Sequence, residues 1–266
     1  MLMSEPKVVC SYQDGVYWVT LNRPDKLNAM DIDMRRGILQ CLQEAESRND
    51  VRVVVIRGAG KAFSAGADAS HLKMLSEITI ADFEKLPKGL GVTDIGLYIR
   101  NMSKPVIAMV HGYCVGGGME LIQYCDMVFA STDAVFFQGE INLGIIPGGG
   151  GTQLLPRLVG DKKARELIYT GRRLTAEEAK RLGLVNEVCQ PEELEKCVMA
   201  VVEEIKQKSP LAIALAKKAI NAVYELPLSK GLEYEQLMFQ RALVSEDGKE
   251  GLRAFLEKRK PVFKGR

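Results

Sequence analysis

The sequence has little of what metal, nucleic-acid or membrane proteins need. Only two of its 266 residues are histidine, so a metal site built on imidazole ligands is not expected, and we interpret both, His71 and His111, as structural. The net charge of +2 is too small a basic excess to indicate nucleic acid or an acidic membrane as a partner. No uncharged apolar stretch reaches the roughly 20 residues that a membrane-spanning helix requires.

The cysteines are scattered and form no Cys-x-x-Cys pair; they are Cys10, Cys41, Cys114, Cys125, Cys189 and Cys197. Three of them lie in apolar runs, where a reduced cysteine behaves as a small hydrophobic residue. The first ten residues, MLMSEPKVVC, lack the basic-then-apolar pattern of a secretory signal. We therefore expect reduced thiols and a cytoplasmic location.

The common nucleotide-binding and hydrolase motifs are also missing. Gly60 and Lys61 are followed by alanine, so they do not form a Walker A loop, which needs serine or threonine there. The glycine runs at 116–118 and 149–151 do not form the dinucleotide fingerprint, because a leucine stands at the position of its third glycine in both. Ser64 lies in AFSAG, which is not the GxSxG elbow of a serine hydrolase.

The order of hydrophobic patterns predicts a β/α chain of some 155 residues followed by an all-helical region. A QDG turn at 13–15 joins two strands, and apolar β-branched runs at 51–57 and 105–111 indicate strands buried on both faces. Shorter strands are predicted over 127–131 and 135–138. Helical spacing predicts helices over 31–48, 69–76, 117–124, 161–170, 175–181, 192–208, 210–224, 229–245 and 248–259. We interpret 77–96 as a variable, mobile segment and 141–153 as a loop.

The stretch 112–121 reads GYCVGGGMEL, with three adjacent glycines between a strand and a helix. A helix N-terminus presents free N–H groups, and glycine lets a substrate oxygen approach them without a Cβ in the way. KAFSAGAD at 61–68 lies at a second strand-to-helix junction and is the obvious source of another N–H, with Asp68 as the N-cap of the following helix. Two such donors would stabilise a developing oxyanion.

Six motifs, in order, resemble the enoyl-CoA hydratase/isomerase (crotonase) superfamily, and most closely its hydratases: NRPDKLNAM, AFSAGAD, KPVIAMVHGYCVGGGMEL, CDMVFAS, GEINLGIIPGGGGTQ and FLEKRKPVFKGR. The resemblance implies an α/β fold of the ClpP-like crotonase type, a spiral of β-β-α units that forms two roughly perpendicular sheets. That core would span 1–200, and 201–266 would be a helical trimerisation region. A trimer or a dimer of trimers (a hexamer) is expected.

The resemblance also assigns the site. Its oxyanion hole would be the backbone N–H groups of Ala67 and Gly117, and its two catalytic glutamates would be Glu120 and Glu140. Two carboxyl groups that share one water can add it across the double bond of a planar 2-enoyl thioester. We expect burial to raise at least one of their pKa values, so that Glu140 is protonated while Glu120 accepts from the water.

Contacts to coenzyme A follow from the same resemblance. The carbonyls of Ala65 and Ala67 would hold the adenine amine, and the other residues predicted to bind the substrate are Lys26, Lys61, Asp68 and, from a neighbouring subunit, Phe255 and Lys258. Coenzyme A would enter as part of the substrate, with no separate cofactor and no metal. We expect Ile146 and Met102 to line the acyl pocket.

Two residues depart from the hydratase pattern, which has glycine at the position of Phe137 and proline at that of Gly139. A bulky Phe137 changes local packing, and Gly139 loosens the backbone that aims Glu140. Three alternatives stay open: Δ3-Δ2 isomerisation with one glutamate as a proton shuttle, thioester hydrolysis, and RNA binding. An RNA-binding branch of the superfamily uses a lysine-rich early helix, whereas 31–50 has no lysine.

Overall fold

The computed structural model describes residues 5–86 and 88–266, and its strands form two sheets. The strands are β1 Val8–Gln13, β2 Val16–Leu21, β3 Val53–Gly58, β4 Ala62–Ser64, β5 Val106–Val110, β6 Tyr113–Val115, β7 Met127–Ser131, β8 Val135–Phe137, β9 Leu174–Thr175 and β10 Glu187–Cys189. The order is β1-β2-β3-β5-β7-β10 in the six-stranded sheet and β4-β6-β8-β9 in the four-stranded one.

The α-helices follow the strands in chain order and dominate the last third of the chain. They are α1 Ile32–Ser47, α2 Ala69–Ser76, α3 Ile80–Phe83, α4 Val92–Asn101, α5 Gly117–Ile122, α6 Gly151–Val159, α7 Asp161–Thr170, α8 Ala176–Arg181, α9 Leu194–Lys206, α10 Pro210–Asn221, α11 Leu228–Val244 and α12 Glu246–Leu256. Short 3-10 helices occur at Pro24–Lys26, Glu140–Leu143, Pro191–Glu193 and Ala222–Tyr224.

The central strands β2, β3 and β5 of the six-stranded sheet are buried on both faces, as their apolar sequences predict, whereas the edge strand β1 is largely exposed. Its strands are parallel except for β1, which pairs antiparallel with β2 through the predicted hairpin. Along β3, Val54 and Ile56 face the larger core cluster, which includes the buried face of α1. Val53 and Val55 face a second cluster, which includes the buried residues of α9. The alternation follows from the period of two in a strand.

Three segments differ from their predictions. The predicted mobile segment 77–96 contains α3 and the first half of α4, because Ile95 and Ile99 of α4 are fully buried. The predicted loop 141–153 contains a 3-10 helix and the start of α6. The last hundred residues are not all helical, since β9 and β10 each add a strand to a sheet. Tertiary packing outweighs weak local propensity in each case.

The expectation that all six cysteines are reduced is wrong for four of them. Cys10 and Cys41 form one disulfide, between the edge strand β1 and α1, and Cys189 and Cys197 form another, between β10 and α9. Each pair joins two elements that pack together, with Cα atoms 6.2 and 6.8 Å apart. Cys114 and Cys125 are free thiols.

An ion pair between the buried Lys217 and the more exposed Asp126 ties α10 to the core. Lys217 of α10 is almost fully buried and donates to the Asp126 carboxylate at 2.7 Å and to the Lys104 carbonyl at 3.0 Å. The predicted division of the chain at residue 200 falls inside α9, and it stays a prediction. None of the helices in the described residues has the length and apolar character needed to cross a membrane.

Candidate active site

Two strand ends bring the predicted site together. β4 and β6 run parallel, so their carboxyl ends lie at the same edge of the four-stranded sheet. Residues 65–68 leave β4 at that edge, and the glycine run leaves β6 and enters α5 there. The two strand-to-helix junctions singled out in the sequence are therefore neighbours.

Two of the three adjacent glycines leave space that a side chain would fill, and the third begins α5. Gly116 has φ +50°, and a Cβ there would lie 3.2 Å from Oε1 of Glu140, so a side chain would be strained and would press on the carboxyl group. Gly117 is the first residue of α5. A Cβ on Gly118 would lie 2.8 Å from Cβ of Ser64. Because Gly118 has no Cβ, α5 can pack closely on β4.

The backbone N–H groups of Ala67 and Gly117 face the same space. A Cβ placed on Gly66 would lie 3.0 Å from the Gly117 nitrogen, and one placed on Gly117 would lie 3.6 Å from the Ala67 nitrogen. Within residues 5–86 and 88–266, neither N–H donates to a protein acceptor. Ala67 is exposed, whereas Gly117 is buried at the helix terminus. This pair can bind an oxygen that carries negative charge.

Buried polar side chains hold the Ala67 loop, and sequence analysis did not find them. Asn28, with φ +56°, donates to the carbonyls of Ala59 and Ala62 at 2.8 Å each. Ser64 donates to the Asn28 carbonyl at 2.8 Å and accepts from the N–H of Gly66 at 3.1 Å. The only sequence signal is that both residues lie inside motifs, which does not reveal what they contact.

Asp68 is placed as the N-cap of α2, as predicted. Its carboxylate accepts from the N–H of Ser70 at 3.0 Å and pairs with Arg23 at 3.0 Å. These bonds outweigh burial and lower the pKa of Asp68. The side chain is thus engaged in holding its loop, and its predicted contact with the substrate stays a prediction.

Glu120 is buried on α5 and held by the second glycine cluster. Its Oε1 accepts from the N–H of Gly149 at 2.7 Å and from that of Gly151 at 2.9 Å. A Cβ on Gly149 would lie 2.5 Å from Oε2, so only glycine leaves room for the carboxyl group. Burial raises the pKa of Glu120, while the two N–H bonds oppose that rise. Sequence analysis missed Gly149 and Gly151 because backbone donors have no residue signature.

Glu140 is half-buried at the start of a 3-10 helix, beside Gly116. Burial raises its pKa to about 7, and repulsion from the nearby Glu120 carboxylate adds to the rise. In the described residues its Oε2 is buried without a protein hydrogen-bond partner. The structure therefore brings the two predicted glutamates together with different environments: one fixed by N–H donors, the other free to exchange a proton near neutrality.

The two residues that depart from the expected pattern, Phe137 and Gly139, pack against each other. A Cβ on Gly139 would lie 3.0 Å from Cε2 of the Phe137 ring, so the ring occupies the space that a larger residue at 139 would need. The Arg173 guanidinium lies 5.4 Å from the Phe137 ring centroid and 5.9 Å from that of Tyr113. Gly139 has φ −88°, an ordinary backbone conformation. The predicted effect of Gly139 on the aim of Glu140 stays a prediction.

The prediction that Met102 lines the acyl pocket is wrong. Val92, at the N-terminal end of α4, is the residue of this helix that reaches the site: Cβ atoms placed on Gly117 and Gly149 would lie 3.6 Å from its Cγ2 and 2.9 Å from its Cβ. Met102 is the C-cap residue of α4, ten residues after Val92 and about 15 Å away at 1.5 Å per residue, and it belongs to the core. Ile146 is 69% exposed on the loop before Gly149.

The predicted coenzyme A contacts are spread over the surface. Lys26 and Lys61 are exposed, and Ala65 donates its N–H to the Leu27 carbonyl beside Lys26. Phe255 and Lys258 are exposed at the end of α12. None of these assignments is tested by the geometry of one chain, and they stay predictions. The described ranges contain no cluster of three His, Cys, Asp or Glu side chains arranged to hold a metal ion.

Comparison with known proteins identifies the class to which this fold and site belong. The model of the enoyl-CoA hydratase/isomerase family matches residues 11–266, and the chain belongs to that family. A probable enoyl-CoA hydratase of Rhizobium meliloti is 41% identical over 266 residues, covering 99% of this chain and 100% of that protein. A short-chain-enoyl-CoA hydratase of Clostridium acetobutylicum is 39% identical over 95% of each chain.

Solved structures agree with the sequence relatives. The crystal structure of an enoyl-CoA hydratase from Bacillus anthracis superposes with a TM-score of 0.89 at 36% identity, covering 98% of this chain and 100% of that one. The predicted crotonase fold and family are therefore confirmed.

Proposed function

We propose that the protein is an enoyl-CoA hydratase, a hydro-lyase that adds water reversibly and syn to a 2-enoyl-CoA and gives a 3-hydroxyacyl-CoA. The site and the family support this function together. The observation that carries it is the pair of carboxyl groups, Glu120 anchored by two N–H donors and Glu140 with a pKa of about 7. Beside them lie the N–H groups of Ala67 and Gly117, which donate to no acceptor in the part of the chain that the structure describes.

In this proposal the thioester oxygen accepts from the N–H groups of Ala67 and Gly117. The water oxygen attacks the β-carbon, the π electrons pass to the α-carbon and onward to the thioester oxygen, and that oxygen gains negative charge where the donors lie. Ionised Glu120 takes a proton from the water, and protonated Glu140 gives one to the α-carbon. The net change is one proton moved from Glu140 to Glu120, which returns before the next turnover.

Incubation with crotonyl-CoA tests the proposal. We expect the absorbance of the conjugated enoyl thioester to disappear while oxygen from labelled water enters the product. Double-bond isomerisation without incorporation of solvent oxygen would indicate the isomerase, and release of free coenzyme A thiol would indicate the hydrolase. The presence of both carboxyl groups favours hydration over these reactions, since the isomerase needs one glutamate as a proton shuttle.

Coenzyme A enters this proposal only as part of the substrate, with no separate cofactor. The exposed Lys26 and Lys61 suit the phosphates of its nucleotide end, and the carbonyls of Ala65 and Ala67 would hold the adenine amine. RNA is not part of the proposal, because α1 carries both charge signs and no lysine.

We also propose a trimer or a dimer of trimers, with the substrate site near a subunit boundary. The C-terminal helices expose many large apolar side chains, more than isolated surface residues account for. They include Ile220, Val223, Leu228, Leu232, Phe239, Leu252, Phe255 and Leu256. This surface would place Phe255 and Lys258 against a neighbouring subunit's substrate. Light scattering of an active species at the monomer mass would contradict the assembly.

We also propose a cytoplasmic location. Cys114 and Cys125 are free thiols, and burial raises the pKa of both. The other four cysteines are paired, so cysteine usage no longer argues for a reducing compartment. Cell fractionation decides the location directly.

A further inference from the structure

Tyr124 forms a hydrogen bond with the same glycine, Gly149, that donates to Glu120. It lies four residues after Glu120, just beyond the end of α5, and is 6% exposed. Its hydroxyl donates to the Gly149 carbonyl at 2.9 Å, in a buried position. The N–H of Gly149 donates to Glu120 at 2.7 Å. One glycine is therefore bound on its carbonyl side by Tyr124 and on its N–H side by Glu120.

The loop that carries these donors has no side chains with which to hold itself. Residues 148–151 are all glycine, the residue with the greatest backbone freedom. Gly150 has φ +116°, and a Cβ there would lie 2.2 Å from the Tyr124 hydroxyl oxygen. Its shape at this point depends on the groups packed against it, of which the Tyr124 hydroxyl is one and the Glu120 carboxylate another.

The ring of Tyr124 packs directly on the backbone of α4. A Cβ on Gly96 of α4 would lie 2.2 Å from Cδ2 of Tyr124, so the ring lies directly on the helix backbone. The neighbouring Ile95 and Ile99 are fully buried and fix α4 in the core. Because the ring is held by a rigid helix, the hydroxyl can in turn hold a flexible loop.

We propose that Tyr124 is a positioning residue for hydration: it fixes the Gly149–Gly151 segment against Glu120 and thereby aims that carboxylate at the substrate water. The catalytic part of this inference rests on the proposed function. Two N–H bonds to Oε1 fix the direction of the carboxyl group and favour its ionised form. Loosening the segment weakens both bonds while leaving the N–H groups of Ala67 and Gly117 in place.

The test compares Tyr124→Phe with Tyr17→Phe. The first variant keeps the ring on Gly96 and removes only the hydroxyl. The second removes a hydroxyl from an equally buried core tyrosine on β2 and serves as the control. Amide hydrogen exchange of the free protein over residues 147–153 and steady-state hydration of crotonyl-CoA are measured for both, with melting temperatures to check the fold.

For Tyr124→Phe we expect exchange at 147–153 to be about ten-fold faster and kcat about ten-fold lower, the scale of one lost hydrogen bond, with KM within about two-fold. Tyr17→Phe should change neither exchange at the loop nor kcat. A drop in kcat at constant KM separates aiming of Glu120 from general damage, since the thioester still binds to the backbone donors. Gly96→Ala, which keeps the hydroxyl but displaces the ring, should reproduce both effects.

Unchanged exchange at 147–153 in Tyr124→Phe would overturn the inference, because the hydroxyl would then not hold the loop. Faster exchange with unchanged kcat would overturn its catalytic part. If the unaltered protein does not hydrate crotonyl-CoA, the proposed function fails separately, and the exchange experiment still decides whether Tyr124 holds the glycine segment.

Discussion

Replacing Gly117 with proline tests the backbone donor directly, because the structure predicts that the fold survives the change. Gly117 is the first residue of α5, a position where proline is well tolerated since the N–H has no partner within the helix. A Cβ there meets Cε of Met30 at 3.3 Å and Cγ2 of Val92 at 3.6 Å, contacts that a methionine terminus can relax. Proline therefore removes the N–H at little structural cost.

The expected loss follows from one missing donor to the developing oxyanion. Such a loss lowers kcat by about 10²–10³-fold, or about 3–4 kcal/mol of transition-state stabilisation, and the added ring atoms near the thioester oxygen make this a lower bound. Initial rates of crotonyl-CoA hydration give the comparison, with thermal unfolding as the check on folding. Gly117→Ala is the matched control, because it adds the same Cβ but keeps the N–H.

We expect Gly117→Ala to lose far less activity than Gly117→Pro. Equal losses in the two variants would mean that crowding, and not the missing donor, is responsible. A folded Gly117→Pro protein with normal kcat would refute the assignment of the oxyanion hole to this residue.

Two further predictions concern Glu140 and its surroundings. Since the reaction needs ionised Glu120 and protonated Glu140, and the pKa of Glu140 is about 7, kcat/KM for hydration should rise with pH as Glu120 ionises and fall about ten-fold per unit above about pH 7; a rate that increases through pH 8 would contradict the acid role of Glu140. Gly139→Pro should crowd the Phe137 ring and lower the melting temperature by roughly 2–10 °C, the scale of overpacking. Adding Phe137→Gly should recover much of that loss. If calorimetry shows no recovery, the Phe137 ring is not what proline at 139 crowds.

The parts of the fold that the sequence predicts are those with strong local patterns. β3 and β5 are continuous β-branched runs that only a sheet buried on both faces explains, and the QDG turn adopts φ values of +46° at Asp14 and +80° at Gly15. The sequence does not predict α4, because Gly96 and the polar residues of this helix dilute the helical pattern. Gly96, which lowers helix propensity, is there to receive the Tyr124 ring, a contact that no local signal shows.

In the candidate site, too, the sequence predicts some residues and not others. Glu120, Glu140, Ala67 and Gly117 were assigned through motifs, and the structure brings them together at one sheet edge. The donors to Glu120 could not be assigned, because they are backbone N–H groups 29 and 31 residues away in the chain. Disulfide pairing was equally out of reach: Cys10 and Cys41 are 31 residues apart, and only the packing of β1 on α1 makes them neighbours.

The central claim is that two carboxyl groups act as a unit on one water. Its most direct test is to measure the rate at which Glu120→Gln, Glu140→Gln and the double variant hydrate crotonyl-CoA. We expect each single change to lower kcat by about 10²–10⁴-fold, the scale of a lost acid or base, and the double change to add little more. Thioester binding should persist, because the N–H groups of Ala67 and Gly117 are untouched. Full hydratase activity in Glu120→Gln would contradict the account.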